Sequence, residues 1–362
     1  MEFPPVSVVM PVRNEERHLA ESVRHVLGQD YPGELELVLA VGPSADRTEE
    51  LARELAAHPR VTAVPNPSGK IPAALNAAVR AARHQVIARV DGHALLPAGY
   101  LRTAVTALIE TGAADVGGVM AAEGVTTFQR AVAWGMTSKI GVGSAAFHTG
   151  GGAGPADSVY LGVYRREAIE QAGGYDEEML RAEDWDLNYR IRARGGQIWF
   201  TPALRVTYRP RAGVRALGSQ YFHYGRWRRV VIREHPETAS FRYLAPPAAA
   251  GLVALGLAAG VAGLAGIAAM GGGTPAGVRW LVAGFVIPGT YLAGITAAGV
   301  VLARTVPAGV RIRVPLVLGI MHTCWGTGFL TSPRKLHRSR KADTHVRSEQ
   351  KKAEGAAAAG GE

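Results

Sequence analysis

Short apolar runs alternate with amphipathic stretches over the first hundred residues. Residues 6–10, 35–41, 61–64 and 86–90 read as strands, with helical patterns over about 15–27, 45–57 and 72–82 between them. Strands that are apolar on both faces and separated by helices predict a mostly parallel α/β sheet covered on both sides. Such sheets bind ligands outside the carboxyl ends of their strands. Asn14, Asp46 and Asp91 fall just after strands, on that edge. Residues 117–160 are Gly- and Ala-rich with few regular signals. The glycine run at 150–154 reads as a turning loop, because it lacks the spacing and the feeding strand of a dinucleotide fingerprint. Residues 183–192 read as a helix led by acidic residues and closed by Gly195-Gly196.

The pattern changes again toward the C-terminus. Residues 248–270 and 280–303 carry no charge, and each exceeds the roughly 20 residues that cross a bilayer. Buried core helices are the alternative reading, but helices apolar all round are unusual in so small a domain. Their Gly and Ala content also suits helix packing in lipid. A shorter apolar segment, 314–330, contains His322, Thr323 and Trp325. A third full crossing would place Arg334, Lys335, Arg338, Arg340 and Lys341 outside, against the positive-inside tendency, so a re-entrant or interfacial third segment is expected. The expected organisation is a cytoplasmic domain over 1–236, a membrane-associated region over 237–331, and a basic then Ala/Gly-rich, disordered tail over 332–362.

Charge adds to this picture. The formal net charge is +10, yet only 19% of residues are charged and the mean hydropathy is +0.06. Basic clusters lie at 205–233 and 334–352. Beside apolar spans they point to membrane lipids and substrate phosphates, and no nucleic-acid motif accompanies them. The single cysteine, Cys324, cannot form a disulfide within the chain, which suits a reducing cytoplasm. No charged-then-apolar leader precedes the strand at Val6. The expected location is a bacterial plasma membrane, multi-pass, with the catalytic domain on the cytoplasmic side.

Four stretches carry candidate chemistry: Pro11-Val12-Arg13-Asn14-Glu15, Asp91-Gly92-His93, Glu183-Asp184-Trp185-Asp186, and Gln220 through Trp227. Asp91 and His93 stand one residue apart after a strand, so both can face one cation; oxygen ligands suit Mg²⁺, and an imidazole makes Mn²⁺ plausible too. Helix capping by Asp91 is the plainer reading of the pair. The Glu183-Asp184-Asp186 cluster can supply a general base, or simply favour a helix start.

In this order the set resembles the family 2 glycosyltransferases, over roughly residues 5–235, and most nearly the membrane-bound, succinoglycan-type exopolysaccharide glucosyltransferases. The resemblance implies a nucleotide-diphospho-sugar transferase fold of GT-A type followed by C-terminal membrane helices. It implies an inverting enzyme that moves a sugar from a nucleotide diphosphate, UDP by default, to a lipid-linked or polysaccharide acceptor. Asp184 matches the family's base, with Asp186 as the second choice. Asp91 and His93 stand where the family's Asp-x-Asp holds Mg²⁺ or Mn²⁺ against the donor phosphates. Pro11, Arg13, Asn14, Glu15, Asp46, Lys70 and Asn76 match donor-side positions. Residues 41–46 keep only Ser44 and Asp46 of the usual acidic run, so the usual base contact is missing. On the acceptor or diphosphate side lie Asp157, Glu183, Asp186, His223, Arg226 and Trp227. The last three resemble the Gln-x-x-Arg-Trp motif of membrane glycosyltransferases, with His223 in the Gln place and a Gln at 220 instead. An interfacial helix with Trp227 at the headgroups is the competing reading. Two rival functions are a nucleotidyltransferase, for which the Gly-rich, Lys-containing phosphate loop is missing, and a non-catalytic membrane scaffold with a degenerate transferase domain.

Overall fold

The computed structural model describes residues 2–337. The tail expected to be disordered therefore lies outside the described residues from 338 onward. One sheet of eight strands organises the chain: β1 (Val6–Val12), β2 (Leu35–Val41), β3 (Val61–Pro65), β4 (Val86–Arg89), β5 (Asp115–Ala122), β6 (Gly154–Pro155), β7 (Tyr160–Arg165) and β8 (Ile198–Tyr208). Their spatial order is β3-β2-β1-β4-β7-β5-β8-β6. The first four strands are mutually parallel, β5 and β8 are parallel, and β7 runs antiparallel between β4 and β5.

Strand alternation divides the core into two layers. Val6, Val8 and Met10 of β1 pack with helix α1 (Leu19–Leu27) and α4 (Tyr100–Thr111), while Val9 faces α3 (Ile71–Ala81) with Val38 and Leu75. Helix α2 (Thr48–Leu55) follows β2. Two sequence expectations shift here. Helix α1 begins at Leu19 rather than near Glu15, because residues 13–18 form the turn that faces the site. The Gly/Ala-rich stretch is more regular than its composition implied: β5 fills the sheet, and α5 (Thr127–Thr137) starts with a capping box between Thr126 and Gln129.

Helix α6 (Glu183–Arg192) carries the acidic motif, and α7 (Val214–Glu234) carries the Tyr224–Trp227 run. Beyond the turn at Pro236–Thr238, α8 (Phe241–Met270) and α9 (Val286–Leu302) belong to two apolar stretches long enough to cross a membrane. Only 17% and 11% of their most apolar windows are buried, unlike the core helices of a soluble domain. Helix α10 (Val314–Leu330) differs from both. It lies alongside α7, with Val317, Leu318 and Met321 packed on Leu217 and Tyr221. The approach depends on two glycines: a Cβ on Gly225 would collide with the Trp325 carbonyl, and one on Gly328 with the Phe222 carbonyl. Past α10 the chain is pinned to α7, where Ser332 Oγ donates to the Arg226 carbonyl at 2.9 Å and Arg233 Nη2 to the Ser332 carbonyl at 2.7 Å.

Candidate active site

The carboxyl edge of β1, β2 and β4 forms one wall. Asn14 sits in the left-handed region (φ 55°), which an Asn tolerates better than most residues. Its side-chain oxygen accepts from the Ala45 amide at 2.8 Å, and its own amide donates to Ser44 Oγ at 3.1 Å. The Glu15 amide donates to Thr48 Oγ1 at 2.7 Å and the Glu16 amide to Asp46 at 3.2 Å. The turns after β1 and β2 are thus laced into one rim. Asp46 spends both oxygens on this lacing, since its other oxygen takes the Thr48 amide and hydroxyl; the hydroxyl bond is the main reason its carboxyl lies below the usual range. Pro11 is half-buried, and Arg13 reaches across the rim to the Gly69 carbonyl at 3.3 Å.

The centre of the site is a residue the motifs pass over. Arg89, the last residue of β4, is buried, and its guanidinium meets Glu183 at 2.9 Å and Asp91 at 3.3 Å. The contacts to Asp91 both fall on Oδ1, so Oδ2 lies outside the ion pair. Another nitrogen, Nη1, is buried without a partner among the described residues. Desolvation opposes its charge, but Asp91, Glu183 and Asp184 together hold Arg89 firmly protonated. Burial is also what pushes Glu183 upward, to about 7; Asp184 pushes the same way and Arg89 pulls against both. A charged residue in a four-residue strand is the signal that marked Arg89, because such a group is buried only when paired.

His93 turns to Glu15, Nδ1 to Oε1 at 2.8 Å, which raises its pKa above the ordinary histidine value against the effect of burial; Asp91 adds to the rise. Among the described residues no three carboxylate, His or Cys groups gather as a metal cage. An open position with one or two protein ligands is nonetheless what a magnesium-type ion uses when substrate phosphates complete its shell. Asp91 Oδ2, left outside the contacts to Arg89, is an oxygen of the kind such an ion takes, while the His93 ring is engaged by Glu15.

The opposite wall is the start of α6. Ala182 precedes it in the left-handed region (φ 62°), a conformation that costs a residue with a Cβ about 1–2 kcal/mol. Glu183 is thereby buried against Arg89 while Asp184 stays half-exposed, with Oδ1 accepting the Trp185 amide at 2.7 Å. Asp186, the second choice for a base, is locked away. It is buried between Arg190 at 2.8 Å and His235 at 3.3 Å. Burial pushes its pKa up, but the hydrogen bond to His235 and the Arg190 guanidinium more than offset it and leave the carboxyl below the usual range.

Lys70 and Asn76 both reach the loop that enters α6. Lys70 Nζ pairs with Glu178 at 2.6 Å, and Asn76 exchanges hydrogen bonds with the Tyr175 backbone at 2.8 and 2.9 Å. Trp227 is buried with Met179 and Trp185, which removes the reading of an indole at the headgroups. It ties α7 to α6. Its neighbour Arg226 lies over the Phe222 ring and keeps Nε buried without a partner among the described residues. His223 is half-buried, with its pKa lowered by burial and by Arg181 and Arg226. Asp157 is exposed and pairs with Arg192 at 3.4 Å.

Comparison with known proteins follows this geometry. The family described as glycosyl transferase family 2 matches residues 7–173. The succinoglycan biosynthesis protein ExoA of Rhizobium meliloti (strain 1021) is 33% identical over 328 residues, which are 89% of this chain and 93% of that protein. A Methanococcus voltae dolichyl N-acetyl-alpha-D-glucosaminyl phosphate 3-beta-D-2,3-diacetamido-2,3-dideoxy-beta-D-glucuronosyltransferase is 22% identical over 63% of this chain and 74% of its own length. Among solved structures, the mannosyltransferase PcManGT from Pyrobaculum calidifontis, in complex with GDP-Man and Mn²⁺, superposes with a TM-score of 0.56 at 19% identity. The match covers 92% of this chain and 88% of that one, and it supports the GT-A-like fold.

Proposed function

The chain belongs to the family 2 glycosyltransferases of the exopolysaccharide type, and from that premise we propose an inverting, membrane-anchored enzyme that moves a sugar from a nucleotide diphosphate, UDP by default, to a lipid-linked or polysaccharide acceptor. The observation that carries the reading is the bridge made by Arg89. It joins the end of β4, where the donor's diphosphate would lie, to the start of α6, where the base stands.

Two difficulties have to be met in such a transfer. The leaving diphosphate gathers negative charge, and an alcohol is a poor nucleophile until its proton is removed. Asp184 is the carboxylate left accessible for the second task, because Glu183 is spent on Arg89 and Asp186 on Arg190 and His235. It takes the acceptor hydroxyl's proton as the oxygen attacks the anomeric carbon from the face opposite the diphosphate. Arg89 and the laced rim hold the donor end in place. Asp91 and His93 would hold a divalent cation, which would supply charge compensation on the diphosphate. Glu183 and Arg89 hold the base and the metal ligand in fixed relation.

Anchoring rests on α8 and α9, which read as two crossings with the catalytic domain in the cytoplasm. The seating of α10 along α7 supports a third segment that lies against the enzyme and does not cross by itself. The test is release of free nucleoside diphosphate on mixing detergent-solubilised protein, nucleotide sugar and lipid-linked acceptor. A scaffold releases none, and a nucleotidyltransferase, which would pass on the nucleoside monophosphate, releases the sugar 1-phosphate instead.

A further inference from the structure

Beyond α10 the chain folds back on the elements that carry the acidic motif. Ser332 is tied to the Arg226 carbonyl, and Arg233 donates to the Ser332 and Pro333 carbonyls at 2.7 and 3.0 Å. A single 3₁₀ turn, Arg334–Leu336, follows, and Leu336 packs against the buried cluster of Met179, Trp185 and Trp227. The next residue is His337, whose side chain is only 4% exposed. Its Nε2 lies 3.1 Å from Asp176 Oδ2, and its Nδ1 lies 3.7 Å from Glu234 Oε1. A ring with both nitrogens turned to carboxylates can donate to both only as an imidazolium.

Asp176 belongs to the loop that enters α6. Its acidic neighbours Glu177 and Glu178 reach Asn76 and Lys70 at the surface, whereas Asp176 is buried. Asp176 Oδ1 accepts the Glu178 amide at 3.0 Å, and the Asp176 carbonyl accepts the Met179 amide at 3.0 Å, so its position sets that of the turn. The turn runs into Ala182, in the left-handed region, and then into Glu183 and Asp184. An exposed ion pair such as Lys70–Glu178 does little to hold such a loop. The charges facing His337 are Asp176 from this loop, Glu234 from α7 and Asp186 from α6. Arg190 and His235 are turned to Asp186, and Arg334 and Lys335 are exposed. Burial works against a charged ring, but the hydrogen bond to Asp176 and the three carboxylates more than offset it and raise the His337 pKa.

We propose that His337 is a positioning residue for the transfer: its imidazolium, clamped between Asp176 and Glu234, fastens the segment returning from α10 to the loop that enters α6, and so fixes the start of that helix, where Asp184 stands. The role rests on the glycosyl transfer proposed above. Helix α10 is itself seated along α7, so the latch makes the setting of the base depend on the seating of the membrane-associated region. With the ring neutral, only one of the two carboxylates keeps a donor from it, and the other faces an acceptor nitrogen. The folded-state pKa lies above the ordinary histidine value. The latch is therefore complete below about pH 6.5 and is lost as the pH rises through the folded-state value.

The test follows hydrogen exchange of the Met179 and Asp186 amides, together with single-turnover transfer, in the full detergent-solubilised chain from about pH 6 to about pH 9. His337→Gln keeps a donor for Asp176 but no charge, and Asp176→Asn removes the partner from the other side. At about pH 6 each should speed exchange about tenfold and slow transfer about tenfold, the scale of one hydrogen bond to a charged group. Nucleotide affinity should stay that of wild type, and melting temperature serves as the folding control. The double variant should be no worse than either single one, because both remove the same contact. As the pH rises, wild type should converge on His337→Gln. A gap between the two that stays constant with pH would reduce the contact to ordinary packing and overturn the proposal. Exchange in both variants equal to that of wild type would overturn it as well. Faster exchange in the variants with no transfer by wild type would instead sink the transferase reading, and the positioning role with it.

Discussion

Arg89 Nη2 lies 2.9 Å from Glu183 Oε1, a buried ion pair between residues 94 positions apart in the chain. The same guanidinium contacts Asp91. Breaking a buried pair by removing one partner leaves an uncompensated charge, which costs about 3–5 kcal/mol. Arg89→Met should therefore lower stability on that scale and weaken donor binding. Pairing it with Glu183→Gln should recover part of the stability without recovering binding. Thermal unfolding and nucleotide titration of the single and double variants check both statements.

Asp186 is assigned to structure and not to chemistry. Its lowered pKa means that its contribution is present above the ordinary aspartate range and is lost as pH falls through the folded-state value. Asp186→Asn should thus cost about 3 kcal/mol at neutral pH. The difference from wild type should shrink as the pH drops below about 4. The variant that stays folded should keep transfer within about tenfold of wild type, a loss smaller than a general base would show.

Removal of divalent ions should abolish donor binding, and Asp91→Ala should mimic that loss. His93→Ala should be milder, because its ring is already shared with Glu15, and should change the preference between Mg²⁺ and Mn²⁺. Isothermal titration of the donor against each ion, with and without chelator, measures this. Full donor affinity in excess chelator would remove the metal from the account.

High salt and alkali should leave the protein in the membrane pellet, since apolar insertion is not screened by ions. A chain ending at Pro236 loses α10 as well as α8 and α9, so it should be released from the membrane but exposes Leu217 and Tyr221 and should unfold more readily. A reporter fused after Lys341 should report the cytoplasm. A periplasmic signal would establish three crossings.

Much of this was legible in residue order. Continuous apolar strands followed by Asn14 and Asp91 located the carboxyl edge of the sheet, because a sheet buried on both faces has a fixed periodicity and its loops carry the polar residues. The acidic start of α6 was visible for the same reason. What stayed hidden depends on tertiary contact. Lys70 and Asn76 matched donor positions, but only the fold shows that they brace the loop before α6. Val314–Leu330 reads like a weak membrane span, and only the close approach at Gly225 and Gly328 seats it on α7.

The most direct measurement of the central claim is single-turnover transfer by Asp184→Asn at saturating donor and acceptor. The amide keeps the shape and cannot take the hydroxyl proton, so the rate should fall by about 10²-fold or more while nucleotide-sugar affinity stays close to that of wild type. A rate near wild type, with donor and acceptor bound, would contradict the assignment of Asp184 as the base and with it the proposed reaction geometry.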